Sequence, residues 1–188
     1  MLPHPFTNRF CFALYNVFTA EECAAMIERA EAQGFVPAEV TIGPGQSMLM
    51  EDYRRSGRVI LDDPVLAQEI FDRVAPTLRR LRPKIKTRTP SSLNPYLRFL
   101  RYVEGDYFAP HRDDWREHGR ERSYLTLMLY LNEDFEGGST GFLSHTGDRT
   151  DFVPKTGSVL MFEHTIMHEG CTVMGGVKYC VRSDVMYR

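Results

Sequence analysis

Residues 101–114 read Arg-Tyr-Val-Glu-Gly-Asp-Tyr-Phe-Ala-Pro-His-Arg-Asp-Asp, an apolar and aromatic segment interrupted by one Glu-Gly-Asp turn signal. In an extended chain alternate side chains share a face, so His111 and Asp113 can project to the same side. With a second imidazole from a distant strand they would form the two-histidine, one-carboxylate triad that leaves three positions open on a ferrous ion. A lone His-x-Asp triplet is also common in solvated turns, so this segment only suggests a metal site.

A second segment, residues 157–182, supplies candidates for the missing groups. An apolar strand from Val159 to Phe162 leads into a short connection that ends at His168, and Lys178 follows ten residues later. A dicarboxylate cosubstrate that chelates a metal through one carboxylate needs a cation for the other, and Lys178 could provide it. The alternative for Lys178 is an ordinary surface lysine.

The surrounding pattern predicts a mostly β fold with flanking helices. Thr19-Ala-Glu-Glu22 has the form of a capping box and predicts a helix from about Ala20 to Gln33. Asp62-Asp63-Pro64, an acidic cap followed by proline, predicts the start of a second helix that ends near Leu81. From Asn94 onward, short apolar runs alternate with turn signals, which predicts a β-sandwich or jelly roll of about eight strands with both helices packed on one face. The Gly-, Pro- and Met-rich stretch 37–57 is predicted to be a long loop, a candidate flap over the site.

Length and composition predict a single domain over 1–188, with a helical part and flap in 1–93 and a β core in 94–188. The 23 basic and 25 acidic residues nearly cancel, so we expect no nucleic-acid partner. The N-terminus lacks the pattern of an export signal and no apolar run reaches the roughly 20 residues that span a bilayer, so we expect a cytoplasmic protein without a membrane segment. The four cysteines form no Cys-x-x-Cys pair and are expected to be free thiols.

Together these motifs resemble the prolyl 4-hydroxylase-like family of iron(II) and 2-oxoglutarate-dependent oxygenases. The similarity is strong over residues 94–188 and looser over the N-terminal helices. It rests on the order and spacing of several motifs: Tyr102, Phe-Ala-Pro-His111-Arg-Asp113, Leu-Tyr130-Leu-Asn132, Glu-Gly-Gly138-Ser-Thr140, Met-His168-Glu-Gly and Lys178. This joint pattern is far more specific than any one motif.

The resemblance implies a double-stranded β-helix, or jelly roll, with iron at its open end. It matches His111, Asp113 and His168 to the iron ligands and Lys178 to the partner of the distal 2-oxoglutarate carboxylate, with three further cosubstrate contacts, Tyr102, Tyr130 and Thr140. The implied reaction is hydroxylation of a C–H bond with Fe(II), 2-oxoglutarate and O2, which yields succinate and carbon dioxide, with ascorbate as reductant. Related halogenases have a small residue at the position of Asp113, so the sequence looks like a hydroxylase.

The substrate is left open by the sequence. A prolyl residue in a peptide, a free amino acid and another small metabolite are all candidates, and the oligomeric state is unknown. Arg58, Trp115 and Arg182 are candidate substrate contacts, although Arg58 with its neighbours could equally form a solvated basic face and Trp115 could simply pack. His164 is expected to support the triad or pack, because the triad is complete without it.

The rival from a different class is a non-catalytic jelly roll or one that holds zinc, since histidine and aspartate also satisfy zinc. Lys178 discriminates between the two. A structural zinc site has no use for an inward cation, whereas a 2-oxoglutarate oxygenase needs one.

Overall fold

The computed structural model describes residues 9–43, 45–81, 88–144 and 147–188.

Helix α1 (Ala20–Gln33) begins and ends where the sequence predicts. The Thr19 side chain accepts a hydrogen bond from the Glu22 backbone N–H, and the Glu22 carboxylate accepts one from the Thr19 N–H, so the capping box is formed. The buried residues of α1 are Cys23, Met26 and Ala30.

Helix α2 (Pro64–Leu81) also confirms its predicted bounds. The Asp63 side chain caps it by accepting a hydrogen bond from the Leu66 N–H at 2.9 Å. Seven residues at helical spacing are buried: Leu66, Ala67, Ile70, Phe71, Val74, Ala75 and Leu78. Among the helices of the described residues, none is both long and apolar enough to cross a membrane.

The rest of the fold is built from short strands. In chain order the described strands are β1 (Cys11–Leu14), β2 (Val36–Pro37), β3 (Val40–Gly43), β4 (Gln46–Met48), β5 (Arg54–Arg55), β6 (Gly57–Asp62), β7 (Pro90–Leu93), β8 (Tyr96–Tyr102), β9 (Tyr107–His111), β10 (Glu117–His118), β11 (Glu121–Tyr130), β12 (Glu136–Gly137), β13 (Thr140–Leu143), β14 (Arg149–Phe152), β15 (Val159–Glu163), β16 (His168–Gly170), β17 (Val173–Gly175) and β18 (Lys178–Tyr187). The mostly β class is confirmed, with more and shorter strands than the expected eight.

Two antiparallel sheets carry the architecture. The major sheet has the order β1-β15-β11-β18-β8-β6-β2, with β10 paired to β11 and β7 paired to β18. The minor sheet has the order β14-β13-β16-β9-β5, and the pairs β12-β17 and β3-β4 stand apart. Neighbours in both sheets come from distant parts of the chain, as in a jelly roll.

The major sheet separates two apolar clusters. On one face Leu125, Leu127 and Leu129 of β11 belong to the cluster that contains the buried residues of both helices. On the other face Tyr130 packs in a second cluster that includes Phe142 of the minor sheet. Because side chains alternate along a strand, the even-numbered positions 126–130 of β11 and 178–184 of β18 point between the sheets, where the candidate site lies.

The prediction of a long loop over 37–57 was wrong. This stretch contains β3 and β4, which form a hairpin, and β5, which joins the minor sheet. Three consecutive β-branched residues, Val40, Thr41 and Ile42, favour a strand, and Gly45 before β4 has a positive φ, which glycine adopts readily. Ile42 and Met48 remain exposed on the hairpin.

The cysteines are free thiols, as expected. Cys11, Cys23 and Cys180 are buried and Cys171 is partly exposed. Burial raises the pKa of Cys11 to about 12, so this thiol is protonated and unreactive at neutral pH.

Candidate active site

The two histidines of the predicted triad face each other on adjacent strands of the minor sheet. His111 ends β9 and is paired in register with His168, which begins β16. Their ring centroids are 4.2 Å apart. Asp113 follows two residues after His111, and its backbone N–H donates to the His164 carbonyl at 3.0 Å, which fixes the chain where it leaves the strand.

The side chains of these three residues converge. His111 Nε2 lies 3.9 Å from Asp113 Oδ1, and His168 Nε2 lies 3.6 Å from Asp113 Oδ2. The three ligand atoms all lie within 4.8 Å of one another. Bonds of about 2.1 Å at right angles would place such atoms about 3 Å apart, so a divalent ion fits after side-chain movements of roughly 1 Å.

Hydrogen bonds aim the metal-binding nitrogens inward. The Nδ1 of His111 lies 2.8 Å from the Ala109 carbonyl, and the Nδ1 of His168 lies 3.0 Å from the Ile166 carbonyl. A carbonyl can only accept, so each Nδ1 carries the proton and each Nε2 is left with a free lone pair. Burial, followed by the nearby His168, lowers the pKa of His111 to about 4, which keeps that imidazole neutral and ready to bind a metal.

The carboxylate of the triad is ionised. Burial by itself raises the pKa of Asp113, but the charge of the Arg182 guanidinium outweighs it, so the pKa lies well below its usual range. Arg182 Nη2 is 3.1 Å from Asp113 Oδ1. Two neutral imidazoles and one carboxylate are a donor set suited to ferrous iron, with room for further ligands.

A chain of side-chain hydrogen bonds supports Asp113 from behind. The Thr126 hydroxyl donates to Asp113 Oδ2 and lies 2.9 Å from His164 Nδ1. Since its single proton goes to Asp113, the hydroxyl must accept from His164, whose Nε2 then accepts from the Ser123 hydroxyl at 2.9 Å. His164 is therefore outside the triad but holds it in place, as expected from the sequence.

Lys178 lies on the inward face of β18, opposite Tyr102 of β8. Its residue is only 3% exposed, and its Nζ donates to the Gly138 carbonyl at 2.6 Å. Burial lowers the pKa of Lys178, because the ammonium has lost its water. No ion pair among the described residues involves Lys178, so this buried cation has room for an anionic partner.

The other three predicted cosubstrate residues surround the ammonium of Lys178. Its Nζ lies 5.3 Å from the Tyr102 ring centroid and 5.5 Å from that of Tyr130. The Tyr130 hydroxyl and Thr140 Oγ1 are 2.6 Å apart. Tyr102 and Thr140 line the cavity, whereas Tyr130 lies behind Thr140 and orients its hydroxyl.

Gly137, Gly138 and Asn132 help to form the pocket around Lys178. Gly137 and Gly138 have positive φ, and a Cβ on Gly137 would come within 2.5 Å of the Thr172 carbonyl. This backbone presents the Gly138 carbonyl to Lys178. Asn132 accepts from the Tyr179 N–H and donates to the Val177 carbonyl, both at 2.7 Å, and so fixes the start of the strand that carries Lys178.

One cavity of about 220 Å³ connects the triad with Lys178. Arg58 and Arg182 line it, as does the hairpin strand β3 through Val40 and Thr41. Trp115 does not: it is half exposed, with the Arg122 guanidinium 4.0 Å above its ring.

The sequence reasoning missed several residues of this cavity. Thr126 supports the triad and Arg98 lines the cavity, and neither was singled out. Each lies an even number of residues from a predicted site residue on its own strand, Tyr130 and Tyr102 respectively, so strand alternation could have placed both on the inward face. The third such residue, Arg116, lies outside the strands and gives no comparable signal.

Comparison with known proteins points to one family. Residues 97–183 match the sequence model of the 2OG-Fe(II) oxygenase superfamily. Prolyl 4-hydroxylase 1 of Arabidopsis thaliana is 25% identical over 194 residues, which cover 88% of this chain and 65% of the plant protein. A PKHD-type hydroxylase of Acaryochloris marina is 28% identical over 166 residues, 87% of this chain and 72% of that protein. The chain thus spans about two thirds of the Arabidopsis relative.

Solved structures share the fold. A Pseudomonas putida prolyl-4-hydroxylase has a TM-score of 0.68 at 20% identity and covers 95% of this chain and 93% of its own. The viral collagen prolyl hydroxylase of Paramecium Bursaria Chlorella virus-1, in a 2OG complex, has a TM-score of 0.63 at 18% identity, with coverage of 95% and 97%. The resemblance inferred from the sequence is therefore confirmed: residues 97–183, which include the whole triad, match the 2OG-Fe(II) oxygenase superfamily, and the chain is similar to prolyl 4-hydroxylases in sequence and in fold.

Proposed function

We propose that this protein is an Fe(II)- and 2-oxoglutarate-dependent dioxygenase that hydroxylates a C–H bond of its substrate, with residues 1–188 acting as one domain. The observation that carries the proposal is the pairing, within one cavity, of a converged triad and a buried lysine that has no acidic partner among the described residues. A buried cation without a counter-ion is costly unless a ligand supplies the negative charge.

Each residue has a defined role in this proposal. His111, Asp113 and His168 would hold the ferrous ion through two Nε2 atoms and one carboxylate oxygen. A bound iron would allow O2 to oxidise 2-oxoglutarate to succinate and carbon dioxide, and this reaction would be coupled to hydroxylation of the substrate. Lys178 would bind the distal carboxylate of 2-oxoglutarate through a charge-assisted hydrogen bond.

Tyr102, Thr140 and Tyr130 would shape the cosubstrate pocket. Tyr102 and Thr140 line the cavity beside Lys178, and the buried Tyr130 holds the Thr140 hydroxyl in place. Burial raises the pKa of Tyr102, so its phenol is neutral and can donate a hydrogen bond to a carboxylate. Tyr102, Thr140 and Lys178 are all buried, and this exclusion of water strengthens their interactions.

Two features separate this proposal from its rivals. The presence of Asp113 as a third protein ligand favours hydroxylation, since halogenases have a small residue at this position. The buried Lys178 favours a 2-oxoglutarate enzyme, because a structural zinc site does not require a buried ammonium close by. The relatives named as prolyl hydroxylases support a prolyl residue as one substrate class, with a free amino acid or small metabolite as the alternative.

The test is uncoupled turnover followed by substitution of the triad. Purified protein with ferrous iron, ascorbate and 2-oxoglutarate is expected to form succinate slowly without added substrate and to bind one ferrous ion per chain. His111→Ala and Asp113→Ala should abolish succinate formation while the circular dichroism spectrum stays unchanged. His118→Ala, at an exposed histidine of β10, is the matched control and should keep full activity. Normal succinate formation by His111→Ala would show that the metal site has been assigned wrongly.

A further inference from the structure

The candidate cavity is strongly cationic, although the chain as a whole is slightly acidic. Among the described residues its lining contains seven cationic and four acidic side chains, whereas the formal net charge of the protein is −2. An iron(II) ion and a 2-oxoglutarate dianion would cancel each other, so their binding leaves the excess of positive charge in place. The cationic lining residues are Arg54, Arg58, Arg98, Arg112, Arg116, Arg182 and Lys178.

Three of these arginines surround the triad from the side of the major sheet. Arg98 and Arg182 lie opposite each other in the register of β8 and β18, and Arg116 lies close enough to influence Arg98. Arg182 pairs with Asp113 at 3.1 Å and with Asp184 at 3.0 Å, while Arg98 pairs with Asp184 at 3.4 Å. Once Asp113 binds a metal, the carboxylates left near Arg182 among the described residues are Asp184 and Asp114, and Asp184 is shared with Arg98.

The positive charge of Arg98, Arg116 and Arg182 is only partly compensated by nearby carboxylates. Burial, followed by repulsion from Arg182 and partly offset by Asp184, lowers the pKa of Arg98 to about 10. The Nε of Arg116 is buried without a hydrogen-bond partner among the described residues. An orphaned buried donor is unfavourable unless a ligand accepts its hydrogen bond.

The mouth of the cavity adds two more arginines. Arg54 donates from Nε to the Ser56 hydroxyl and stacks 4.6 Å above the Phe108 ring, which itself stacks on His111. Arg58 donates to the Glu39 backbone carbonyl at 3.2 Å. In the described part of the chain neither guanidinium forms an ion pair with a carboxylate.

Arg182 lies apart from the cosubstrate cation, whereas Arg54 is close enough to Tyr102 for a hydrogen bond and so borders the cosubstrate pocket. Lys178 and Arg182 are four residues apart on one strand, which separates their backbones by about 13 Å. Their charged groups also have different partners, since Lys178 Nζ donates to the Gly138 carbonyl and Arg182 Nη2 pairs with Asp113, so we assign the two cations to different anionic groups. A second anion would be bound on the other side of the triad, where a substrate must lie to be oxidised.

We propose that the substrate is a small molecule bearing a carboxylate or phosphate group, and that Arg98 and Arg116 bind this group with Arg58 at the cavity mouth. This inference rests on the proposed function, because it treats the cavity as the place where a C–H bond is oxidised. The cavity volume of about 220 Å³ is below the roughly 300 Å³ at which pockets for drug-sized ligands begin, which favours a small molecule. The confinement of the positive charge to the cavity disfavours an extended polyanion.

The test measures binding without turnover. Protein saturated with Mn²⁺ and 2-oxoglutarate is titrated with small carboxylic acids, each matched with its carboxamide, and with phosphate monoesters, each matched with its alcohol. Ligand-detected NMR reports binding. Mn²⁺ held by the triad and chelated by 2-oxoglutarate keeps one open position, so the arginine variant described below separates binding to the arginines from binding to the metal.

We expect members of the acid or phosphate series to bind and their neutral partners to bind at least tenfold more weakly, since a charge-assisted pair with arginine is lost. Arg116→Gln should weaken anion binding about tenfold or more. Arg55→Gln is the matched control, because Arg55 lies beside Arg54 in β5 but is half exposed and outside the cavity lining, so it should bind like the wild type.

Three outcomes would overturn the inference: no anion binds, neutral partners bind equally well, or Arg116→Gln binds as tightly as Arg55→Gln. Uncoupled succinate formation by the same wild-type preparation is assayed in parallel. Absence of succinate would refute the proposed function alone, whereas normal succinate formation with no preference for anions would refute only the substrate class.

Discussion

Replacement of Lys178 with alanine is predicted to weaken 2-oxoglutarate binding strongly while leaving iron binding nearly intact. Lys178 is 3% exposed, and the hydrogen bond of its ammonium in the described structure goes to the Gly138 carbonyl, a neutral acceptor. A carboxylate at this place would gain a charge-assisted pair in a poorly solvated pocket. Such a pair contributes roughly 1.5–3 kcal/mol, which corresponds to a loss of about tenfold to a hundredfold in affinity.

The burial of Lys178 also affects how much 2-oxoglutarate affinity is lost in Lys178→Ala. Burial lowers its pKa, so part of the binding energy is used to keep the amine protonated. A dicarboxylate restores the ammonium form, and the affinity of 2-oxoglutarate should therefore fall at pH values where the free amine begins to form. Lys178→Ala should lose this pH dependence together with the affinity.

The assay is a titration of 2-oxoglutarate in the succinate-forming reaction, with iron content measured for each variant. Lys178→Arg should recover only part of the affinity, because the planar guanidinium is larger and bonds with a different geometry. Lys155→Ala, at an exposed lysine paired with Glu133, is the matched control and should behave as the wild type. If Arg182→Ala raises the Michaelis constant for 2-oxoglutarate strongly and Lys178→Ala does not, the cosubstrate has been assigned to the wrong cation.

Three further predictions concern the surroundings of the triad. Thr126→Val should weaken iron binding about tenfold to a hundredfold because Asp113 loses its supporting hydrogen bond, whereas Thr126→Ser should not; equal iron affinity in both variants would contradict this role. The metal-free protein should lose stability as the pH falls from about 6.5 towards about 4, because burial lowers the pKa of His164 to about 4 and unfolding then takes up a proton. In His164→Gln, urea unfolding should show a loss in the free energy of unfolding between these pH values that is smaller than in the wild type by up to ~3 kcal/mol. A pH profile identical to that of the wild type would contradict the prediction. Deletion of the hairpin 40–48 should impair substrate oxidation more than uncoupled decarboxylation, and equal losses would mean that the hairpin is merely structural.

Local patterns predicted the helices well and two of the three proposed metal ligands. The capping box that begins α1 is written in four adjacent residues, and α2 has an acidic cap and an apolar face at helical spacing. The pair His111 and Asp113 needed only the alternation of an extended chain. His168 and Lys178 required the family resemblance, since no local rule connects them to residues more than fifty positions earlier.

What the sequence did not reveal depends on strand register. Arg98 and Arg182 meet because β8 and β18 pair with one particular offset, and an offset of one residue would point one of them at the helices. The hairpin β3-β4 was missed because its short strands are surrounded by glycine and proline, which also mark loops. Registers and short hairpins are set by tertiary packing, which composition and periodicity do not encode.

The direct opposition of His111 and His168 in the minor sheet means that a bound metal would also act as a cross-link between two strands. It would join residues separated by 57 positions in the chain, and such a link restricts the unfolded chain as well as holding β9 against β16. Metal binding and local unfolding of this sheet are then thermodynamically coupled, so iron should protect the amide hydrogens of β9 and β16 from exchange more than those of the major sheet. Loss of iron would in the same way loosen the wall of the cavity that carries Phe108 and Arg54, and the affinity for substrate would fall together with the metal content.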